Sequence, residues 1–260
     1  MTRRVVVTGA GGGIGAALAR RFADDGAEVI VSDLDPAAAA AVASEIGGLA
    51  VPGDAANEDD TRRLIDTAWA ELGGIDLFCS NAGVLTAGDE NTPDAAWSRD
   101  FSVNVLSHVY VTRHLLPRWL DQGEPQKRLL VTVSAAGLLS ILGSASYAVT
   151  KHGALAFAEW LRATYAHRGL IVQALCPQGV RTDMLARSNE LDSASVAMLA
   201  DGALDPAEVA AVAAKALEGD TFLVLPHPEV ADYYRLRATD TDRWLGGMNK
   251  IQRAFEDGRR

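Results

Sequence analysis

The 260-residue sequence contains few cysteines and few lysines: the cysteines are Cys79 and Cys176, and there are four lysines. Two cysteines in a chain of this length exclude a disulfide-stapled scaffold, and we expect both to be small buried hydrophobic residues. The five histidines show neither HExxH nor Cys/His ligand spacing, so we predict no metal site. No apolar run reaches transmembrane length, and MTRRVVVTG leads straight into a strand, which favours a cytoplasmic protein.

An excess of positive charge is also absent, because the formal net charge is −10. Nucleic acids and anionic membranes attract clustered Lys and Arg, so we expect no nucleic-acid partner and no membrane partner. Hydrophobic residues make up 48% of the sequence, which is ordinary for a globular protein with a substantial core. The sequence shows no internal repeat and no linker, and we predict a single domain over residues 1–260.

Seven short apolar runs rich in Val, Ile and Leu recur along the chain without clean alternation. This pattern is typical of strands buried on both faces of a parallel sheet. Helical stretches separate the runs, which predicts an α/β, Rossmann-like, doubly wound fold with a parallel seven-stranded sheet and helices on both faces. The predicted strands are 4–8, 27–33, 48–52, 75–80, 128–134, 170–176 and 221–226, and the predicted helices are 13–25, 36–46, 57–72, 101–122, 146–168 and 205–218.

Some segments carry their own local signals. Asp35-Pro36 and Asp205-Pro206 each read as an N-cap followed by proline at the first helical position, and Glu208 completes a capping box in the second case.

The segment at about 183–204 has few caps and no strand signal, and we expect a long mobile connection with short helices that serves as a substrate lid. The stretch at about 227–260 is predicted to be a C-terminal extension with one or two helices.

The first predicted strand runs into TGAGGGIG (8–15), and a predicted helix follows. Gly9, Gly13 and Gly15 would give a tight turn, and the exposed amides at the helix start suit a pyrophosphate. Asp33 ends the second strand 18 residues after Gly15, where a carboxylate would accept hydrogen bonds from an adenosine ribose. Its charge repels a 2′-phosphate, and the next residue is Leu34 rather than arginine, so we predict NAD over NADP.

The stretch YAVTK places Tyr147 and Lys151 four residues apart on a predicted helix, and therefore on one face. One interpretation is a solvated face with an extended lysine. The other is a phenol whose proton is made labile by the ammonium. A tyrosine pKa of about 10 must fall by two to three units before the phenol serves as a base at neutral pH. A nearby ammonium and an oxidised nicotinamide would both lower that pKa.

Together these motifs resemble the classical short-chain dehydrogenase/reductase family, from about residue 4 to about residue 226. TGAGGGIG matches the family's TGxxxGxG, SNAG (80–83) matches its NNAG with serine in first place, and YAVTK matches its YxxxK. Ser134 lies 13 residues before Tyr147, the usual gap in that family. CPQGVRT (176–182) resembles its PGxxxT segment, with Gln178 in place of glycine.

The resemblance implies four catalytic residues. Tyr147 would exchange a proton with the substrate oxygen, and Lys151 would lower the Tyr147 pKa and bind the nicotinamide ribose. Ser134 would hydrogen-bond the substrate oxygen, and Asn104 would hold a water that links Lys151 to solvent. The Val180 backbone and the Thr182 hydroxyl would fix the nicotinamide carboxamide, and Asp54 would lie near the adenine. The implied cofactor-binding residues are Gly9, Gly12, Gly13, Ile14, Asp33, Asp54, Ala55, Asn81, Ala82, Gly83, Tyr147, Lys151, Pro177, Val180 and Thr182.

Apolar residues flank the expected site on both sides, between Ser134 and Tyr147 and again after Thr182. They suit a small-molecule secondary alcohol or ketone with a hydrophobic body, although core packing or a subunit interface would use the same residues. The family resemblance further implies a homotetramer or homodimer, packed through the helices at 101–122 and 146–168. The candidate substrate-binding residues are Ala136, Leu142, Gln178 and Met184.

Three functional hypotheses stay open at this point. The first is an NAD-dependent alcohol dehydrogenase, which the intact Ser, Tyr, Lys and Asn set supports. The second is an NADPH-dependent ketoreductase, which Asp33 and Leu34 oppose. The third is a catalytically silent nucleotide-binding regulatory protein, which would be expected to carry a damaged catalytic set.

Overall fold

The computed structural model describes residues 2–122, 126–189 and 202–258. Seven strands form one sheet in the order β3-β2-β1-β4-β5-β6-β7, and every neighbouring pair is parallel. The prediction of a parallel seven-stranded sheet is confirmed, although β3 and β7 are each only two residues long. The strands are β1 Arg4–Thr8, β2 Glu28–Ser32, β3 Leu49–Ala50, β4 Leu77–Ser80, β5 Lys127–Thr132, β6 Leu170–Leu175 and β7 Leu223–Val224.

Ten α-helices are present in the described part of the chain. A π-helical turn at Ser102–Leu106 and two 3₁₀ turns, at Ala135–Gly137 and Ala166–Arg168, adjoin them. The α-helices are α1 Gly13–Asp24, α2 Pro36–Ile46, α3 Glu58–Leu72, α4 Asp94–Phe101, α5 Ser107–Gln122, α6 Ala145–Tyr165, α7 Asp183–Asn189, α8 Pro206–Ala216, α9 Glu229–Thr239 and α10 Thr241–Asp257.

Both faces of the sheet are buried, which explains why the strands lack polar alternation. On β1, the side chain of Val6 joins a core with α3, α5 and α6, whereas Val5 and Val7 join a second core with α1, α2 and α8. Successive side chains of a strand point to opposite faces, so each strand must be apolar throughout to serve both cores. Helices therefore cover both faces, as the sequence predicts.

The two sulfhydryl groups lie inside the sheet, in agreement with the prediction of buried hydrophobic cysteines. Cys79 and Cys176 are both free and fully buried. Burial disfavours the thiolate, which raises the pKa of both thiols and brings that of Cys176 to about 12.

The predicted caps are confirmed. The Asp35 carboxylate accepts hydrogen bonds from the amides of Ala37 and Ala38 at the start of α2. Asp205 and Glu208 form a reciprocal capping box at the start of α8. Each cap satisfies backbone donors that the first helical turn leaves without partners.

One predicted helix has different boundaries in the structure. The predicted helix 101–122 is in fact three elements, because α4 already begins at Asp94 and a π-helical turn separates it from α5. The segment at about 183–204 begins with α7, and its residues 190–201 lie outside the described residues. The stretch from His227 contains two helices, α9 and α10, as expected for the C-terminal extension.

Candidate active site

Most of the predicted site residues follow the carboxyl ends of β1, β4, β5 and β6. The strands are parallel, so these four ends lie along one edge of the sheet. Strand order reverses at β1 and β4, because the chain passes from β1 outward to β3 and then returns to β4. A crevice forms where adjacent connections leave in opposite directions, and such crevices are the ligand-binding positions of doubly wound sheets.

The glycine-rich turn connects β1 to α1 and leaves the start of the helix open. Gly12 is the N-cap, and no side chain hydrogen-bonds to cap the first turn. Gly13 has φ +53°, which favours glycine, and a Cβ on Gly15 would lie 2.1 Å from the Gly9 carbonyl oxygen. The amides at this helix start face no capping side chain and are suited to an anionic group.

Asp33 lies directly after β2 and holds the glycine turn from the side. Its Oδ2 accepts a hydrogen bond from the Gly11 amide at 2.8 Å, and its Oδ1 accepts one from the Asp35 amide at 3.0 Å. The side chain is half-buried, and the neighbouring Leu34 is 71% exposed. One carboxylate thus fixes the turn and places negative charge at its mouth.

Asp54 and Ala55 lie in the loop between β3 and α3, close to Asp33. The Asp54 carboxylate accepts a hydrogen bond from the Ala56 amide at 2.8 Å, and the Gly53 amide donates to the Asp33 carbonyl at 2.9 Å. These bonds fix the loop after β3 beside the residue that ends β2.

Asn81, Ala82 and Gly83 follow β4, and the side chain of Asn81 joins three strand ends. Its Nδ2 donates to the carbonyls of Thr8 and Gly9 at 3.0 and 3.2 Å, and its Oδ1 accepts from the Thr132 hydroxyl at 2.9 Å. The Thr8 hydroxyl accepts from the amides of Asn81 and Ala82. Sequence reasoning missed Thr8 and Thr132, because a threonine at the end of a strand carries no distinguishing signal.

Tyr147 and Lys151 both lie on α6, one helical turn apart, and both are buried. The exposed fraction is 8% for Tyr147 and 3% for Lys151. Lys151 Nζ lies 5.6 Å from the centroid of the Tyr147 ring and donates to the Thr132 carbonyl at 3.1 Å. The interpretation of a solvated helix face with an extended lysine is therefore wrong, because both side chains are buried.

Burial shifts the pKa values of both groups toward their neutral forms. It raises the pKa of Tyr147, and a hydrogen bond with the Ser134 side chain partly opposes this shift. It lowers the pKa of Lys151 to about 8, which leaves the ammonium charged at neutral pH. In the protein without cofactor the pKa of Tyr147 is therefore raised and not lowered as expected, because desolvation of the phenolate outweighs the hydrogen bond with Ser134.

Ser134 follows β5 and lies between Tyr147 and the loop after β6. Its Oγ accepts a hydrogen bond from the Ala136 amide at 3.1 Å and donates to the Pro177 carbonyl at 3.4 Å. The side chain is half-buried and also hydrogen-bonds with Tyr147. The structure thus brings together the serine and the tyrosine that the sequence separates by 13 residues.

Asn104 lies in the π-helical turn and is fully buried. Its Nδ2 donates to the Val84 carbonyl at 2.9 Å and to the Thr150 hydroxyl at 3.0 Å, and its Oδ1 accepts from the Val84 amide at 2.9 Å. The side chain has no donor left for a water molecule. A Cβ on Gly83 would lie 3.3 Å from both Asn104 Oδ1 and Lys151 Nζ, so these groups border one small space.

The loop after β6 approaches the glycine turn. The Pro177 carbonyl accepts a hydrogen bond from the Ala135 amide at 2.8 Å, which ties this loop to the residue after Ser134. Val180 is buried, and the Thr182 hydroxyl donates to its carbonyl at 3.2 Å. A Cβ on Gly13 would lie 3.0 Å from the Thr182 methyl group, which places Thr182 against the turn.

The predicted substrate residues differ in their surroundings. Ala136 packs in a small buried cluster with Ile141 and Tyr147, and Leu85 and Ala148 adjoin this cluster. The side chains of Leu142, Gln178 and Met184 are half-buried, and none belongs to that cluster. The described apolar surface next to Tyr147 is therefore built by Ala136 and its cluster neighbours.

Asp100 is a further residue that sequence reasoning missed. It ends the exposed stretch of α4 yet is fully buried, and it accepts hydrogen bonds from the hydroxyls of Thr86 and Ser146, each at 2.7 Å. Arg99 Nη2 lies 3.3 Å from the same carboxylate. Asp100 thus joins the loop after β4 to the residue before Tyr147, whereas its surroundings in sequence resemble an ordinary surface helix.

Two negative findings concern the described residues alone. Within residues 2–122, 126–189 and 202–258, no group of three or more His, Cys, Asp and Glu side chains is placed to hold a metal ion. No helix in these ranges combines the length and apolar character needed to cross a bilayer.

Comparison with known proteins agrees with this arrangement. The family model for short chain dehydrogenases matches residues 3–193. The chain belongs to the short-chain dehydrogenase/reductase family. Among solved structures, a short-chain dehydrogenase/reductase from Burkholderia phymatum in complex with NAD has a TM-score of 0.85 and 26% identity, over 93% of this chain and 94% of that one.

Two characterised relatives within the family are named as dehydrogenases. A 1-deoxy-11-beta-hydroxypentalenate dehydrogenase from Streptomyces exfoliatus is 36% identical over 251 residues, covering 94% of this chain and 89% of that protein. A cyclohexanol dehydrogenase from Acinetobacter sp. (strain SE19) is 30% identical over 237 residues, covering 87% of this chain and 92% of that protein. The prediction of family and fold from the sequence motifs is confirmed.

Proposed function

We propose that the chain is an NAD-dependent oxidoreductase that interconverts a secondary alcohol and a ketone on a hydrophobic small molecule. The observation that carries this proposal is the convergence of Ser134, Tyr147 and Lys151 beside an uncapped glycine turn. A hydroxyl, a phenol and an ammonium next to an anion-binding helix start are the groups that hydride exchange with a carbonyl requires.

The residues present fit a dinucleotide. The start of α1 is open, because no side chain caps it and a Cβ on Gly12 would meet no atom within 4 Å. A Cβ on Gly15 would collide with the Gly9 carbonyl oxygen, so glycine is needed there for the tight turn that a pyrophosphate-binding loop requires. The bound nicotinamide would supply the hydride acceptor or donor, which no side chain provides. Lys151 would contact its ribose, and Val180 and Thr182 would hold its carboxamide. The likeness to an NAD-bound family member supports this assignment.

Tyr147 would exchange the proton. Burial keeps its phenol protonated at neutral pH, so it is ready to donate a proton to the oxygen of a ketone. In the oxidation direction it must accept the alcohol proton. The Lys151 ammonium, 5.6 Å from the ring centroid, would then stabilise the phenolate. Ser134 would hydrogen-bond the substrate oxygen and hold it near the phenol.

Asn104 would hold the predicted water by accepting a hydrogen bond from it. Both side-chain donors of Asn104 are bound, to Val84 and Thr150, so the water would donate to the main-chain carbonyl oxygen or to the second lone pair of Oδ1, which borders Lys151. A π-helical turn changes the local hydrogen-bond pattern of the helix, and such turns are frequent at functional sites. The side chain of Asn104 would keep this turn in place.

The preference for NAD rests on Asp33. Its carboxylate lies at the mouth of the turn, where a 2′-phosphate would be repelled and a ribose hydroxyl would find an acceptor. Leu34, which is 71% exposed, offers no positive charge in compensation. Asp54 and Ala55 would adjoin the adenine.

The apolar character of the substrate follows from the cluster around Tyr147. Leu85, Ala136, Ile141 and Ala148 present only hydrocarbon next to the phenol. The relatives named for cyclohexanol and for 1-deoxy-11-beta-hydroxypentalenate share alcohol-bearing substrates, which supports a cyclic or polycyclic alcohol here. Leu142, Gln178 and Met184 would complete the pocket, with the segment 183–204 as its lid.

The proposed assembly is a homodimer or homotetramer, packed through α5 and α6. Val149, Gly153, Ala156 and Trp160 recur at helical spacing on α6, on a stripe away from the core-facing residues. Val149 is 55% exposed and Trp160 is 54% exposed. Such a stripe on a helix is suited to a second copy of the chain. A cytoplasmic location stays a prediction.

The test of this function is turnover of secondary alcohols. The purified chain, supplied with NAD⁺ and cyclohexanol or a bicyclic alcohol, should produce NADH, which is followed by its absorbance. Tyr147→Phe should reduce kcat at least about 100-fold without loss of NADH binding, because it removes only the exchangeable proton. Full activity in that variant would reject the assigned role of Tyr147.

A further inference from the structure

His227 is a buried histidine that lies outside the catalytic set. It follows β7 and is only 4% exposed. It lies between Pro226 and Pro228. Each proline fixes its own φ, and Pro228 restricts the backbone of the histidine before it. The backbone at His227 thus has little conformational freedom.

Both ring nitrogens of His227 contact main-chain groups of other segments. Nδ1 lies 3.1 Å from the Gln178 amide nitrogen, and Nε2 lies 3.2 Å from the Gly202 carbonyl oxygen. An amide donates, so Nδ1 must be the acceptor, and a carbonyl accepts, so Nε2 must carry the hydrogen. One neutral tautomer satisfies both bonds, and the ring joins the loop after β6 to the residues that precede α8.

The segment bound in this way lies between two parts of the proposed active site. On one side, the Pro177 carbonyl accepts from the Ser134 hydroxyl and from the Ala135 amide. On the other side, Val180 and Thr182 lead to the glycine turn. Movement of the Gln178 backbone would therefore displace groups proposed to hold the substrate oxygen and the nicotinamide.

Residues that follow Gly202 are bound to the same loop by independent contacts. The Leu204 amide donates to the Gly179 carbonyl at 3.1 Å, and the Arg181 amide donates to the Leu204 carbonyl at 2.9 Å. Arg181 also pairs with Asp205 at 2.8 Å. These contacts keep the two segments together without His227. The Gln178 amide has no other acceptor among the described residues, so this bond is the specific contribution of the imidazole.

We propose that His227 is a positioning residue that fixes the Gln178 amide and thereby sets the shape of the loop 177–182 toward the cofactor. The assignment of that loop to the nicotinamide rests on the proposed function. In the family motif that this segment resembles, glycine stands at the place of Gln178.

Two substitutions of His227 each remove one of the two hydrogen bonds of the imidazole and keep the other. In His227→Asn, the side-chain oxygen occupies the place of Nδ1 and can still accept from Gln178, but nothing reaches Gly202. In His227→Gln, the amide nitrogen occupies the place of Nε2 and can still donate to Gly202, but the Gln178 amide loses its acceptor. His167→Asn and His167→Gln are matched controls, because His167 is exposed in the 3₁₀ turn that follows α6.

Hydrogen exchange of the Gln178 amide in the whole protein, followed by mass spectrometry or NMR, is the first readout. The exchange rate should rise about tenfold or more in His227→Gln and stay within about threefold of the wild type in His227→Asn, since only the first leaves this amide unpaired. Equal exchange in both variants, or no change in either, would overturn the proposal.

Binding of NADH to the same variants is the second readout. His227→Gln should weaken NADH binding about tenfold, whereas His227→Asn and both His167 variants should match the wild type within about threefold. If both His227 variants lose NADH affinity to the same extent, in line with their lower Tm, the role of His227 is merely structural and the proposal is overturned. If the wild type binds no nicotinamide, the proposed function fails, yet the exchange of the Gln178 amide still decides whether His227 anchors the loop.

Discussion

Burial has opposite effects on the pKa values of two neighbouring groups, the Tyr147 phenol and the Lys151 ammonium. Burial of the α6 face raises the pKa of the phenol and lowers that of the Lys151 ammonium to about 8. The motif YAVTK identified the pair and its shared helix face, because that relation depends only on helical spacing. The direction of the Tyr147 shift could not be read from the sequence, since it depends on how much water the folded chain excludes.

The first residue-scale prediction concerns pH. Ketone reduction needs the Tyr147 phenol and the Lys151 ammonium, so its kcat/KM should be constant near neutral pH and fall as pH rises through about 8, where Lys151 loses its charge. Alcohol oxidation needs a deprotonated Tyr147 stabilised by the Lys151 ammonium, so its rate should increase with pH only until Lys151 loses its charge at about 8. Steady-state rates in both directions provide the measurement. A reduction rate that increases as pH rises through neutrality would contradict these roles.

The second residue-scale prediction concerns cofactor choice. Asp33→Asn combined with Leu34→Arg should tighten NADPH binding relative to NADH by about tenfold or more, because the repelling charge is replaced by an attracting one. The asparagine oxygen can still accept from the Gly11 amide, so the turn keeps its bond. Asp25→Asn, at the other end of α1, removes the same charge and should leave the ratio unchanged. An unchanged ratio in the double variant would reject the role of Asp33.

At the scale of elements, α4 and the π-helical turn are the parts of the fold that the sequence did not predict. Apolar periodicity predicts a helix from 101 to 122 but does not indicate a change from the α to the π hydrogen-bond pattern. In the structure, Asn104 lies in this π-helical turn and its side chain makes buried hydrogen bonds there. The seven strands and the caps at Asp35 and Asp205 were predictable, because both follow from local composition. The contacts of Asp100, Thr132 and His227 join distant segments and have no local signature.

The element-scale prediction concerns Asp100, which links α4 to the start of α6. Asp100→Ala should lower the free energy of unfolding by about 2–4 kcal/mol, because two hydroxyls lose their acceptor in the interior. Asp94→Ala on the exposed first turn of α4 is the matched control and should cost less than about 1 kcal/mol. Denaturant unfolding of both variants provides the measurement. Equal stability of the two variants would show that the buried bonds to Thr86 and Ser146 contribute nothing.

At the scale of the whole molecule, the apolar stripe on α6 predicts self-association. Val149→Glu with Trp160→Glu should lower the mass of the assembly, from dimer to monomer or from tetramer to dimer or monomer, because each copy would have to bury two charges at the interface. Tyr233→Glu with Leu245→Glu places the same charges on comparably exposed apolar residues of α9 and α10 and should not affect the size. Light scattering after gel filtration measures the mass. A wild-type monomer, or no change in the α6 variant, would contradict this assembly.

The measurement that tests the central claim most directly is titration of the purified wild-type chain with NADH and, separately, with NADPH, followed by nicotinamide fluorescence. We expect saturable binding of NADH and a Kd for NADPH higher by about tenfold or more, because Asp33 repels the 2′-phosphate. Equal affinity would refute the argument from Asp33. Binding of neither cofactor would contradict the assignment of the glycine turn as a working dinucleotide site, and with it the proposed oxidoreductase activity.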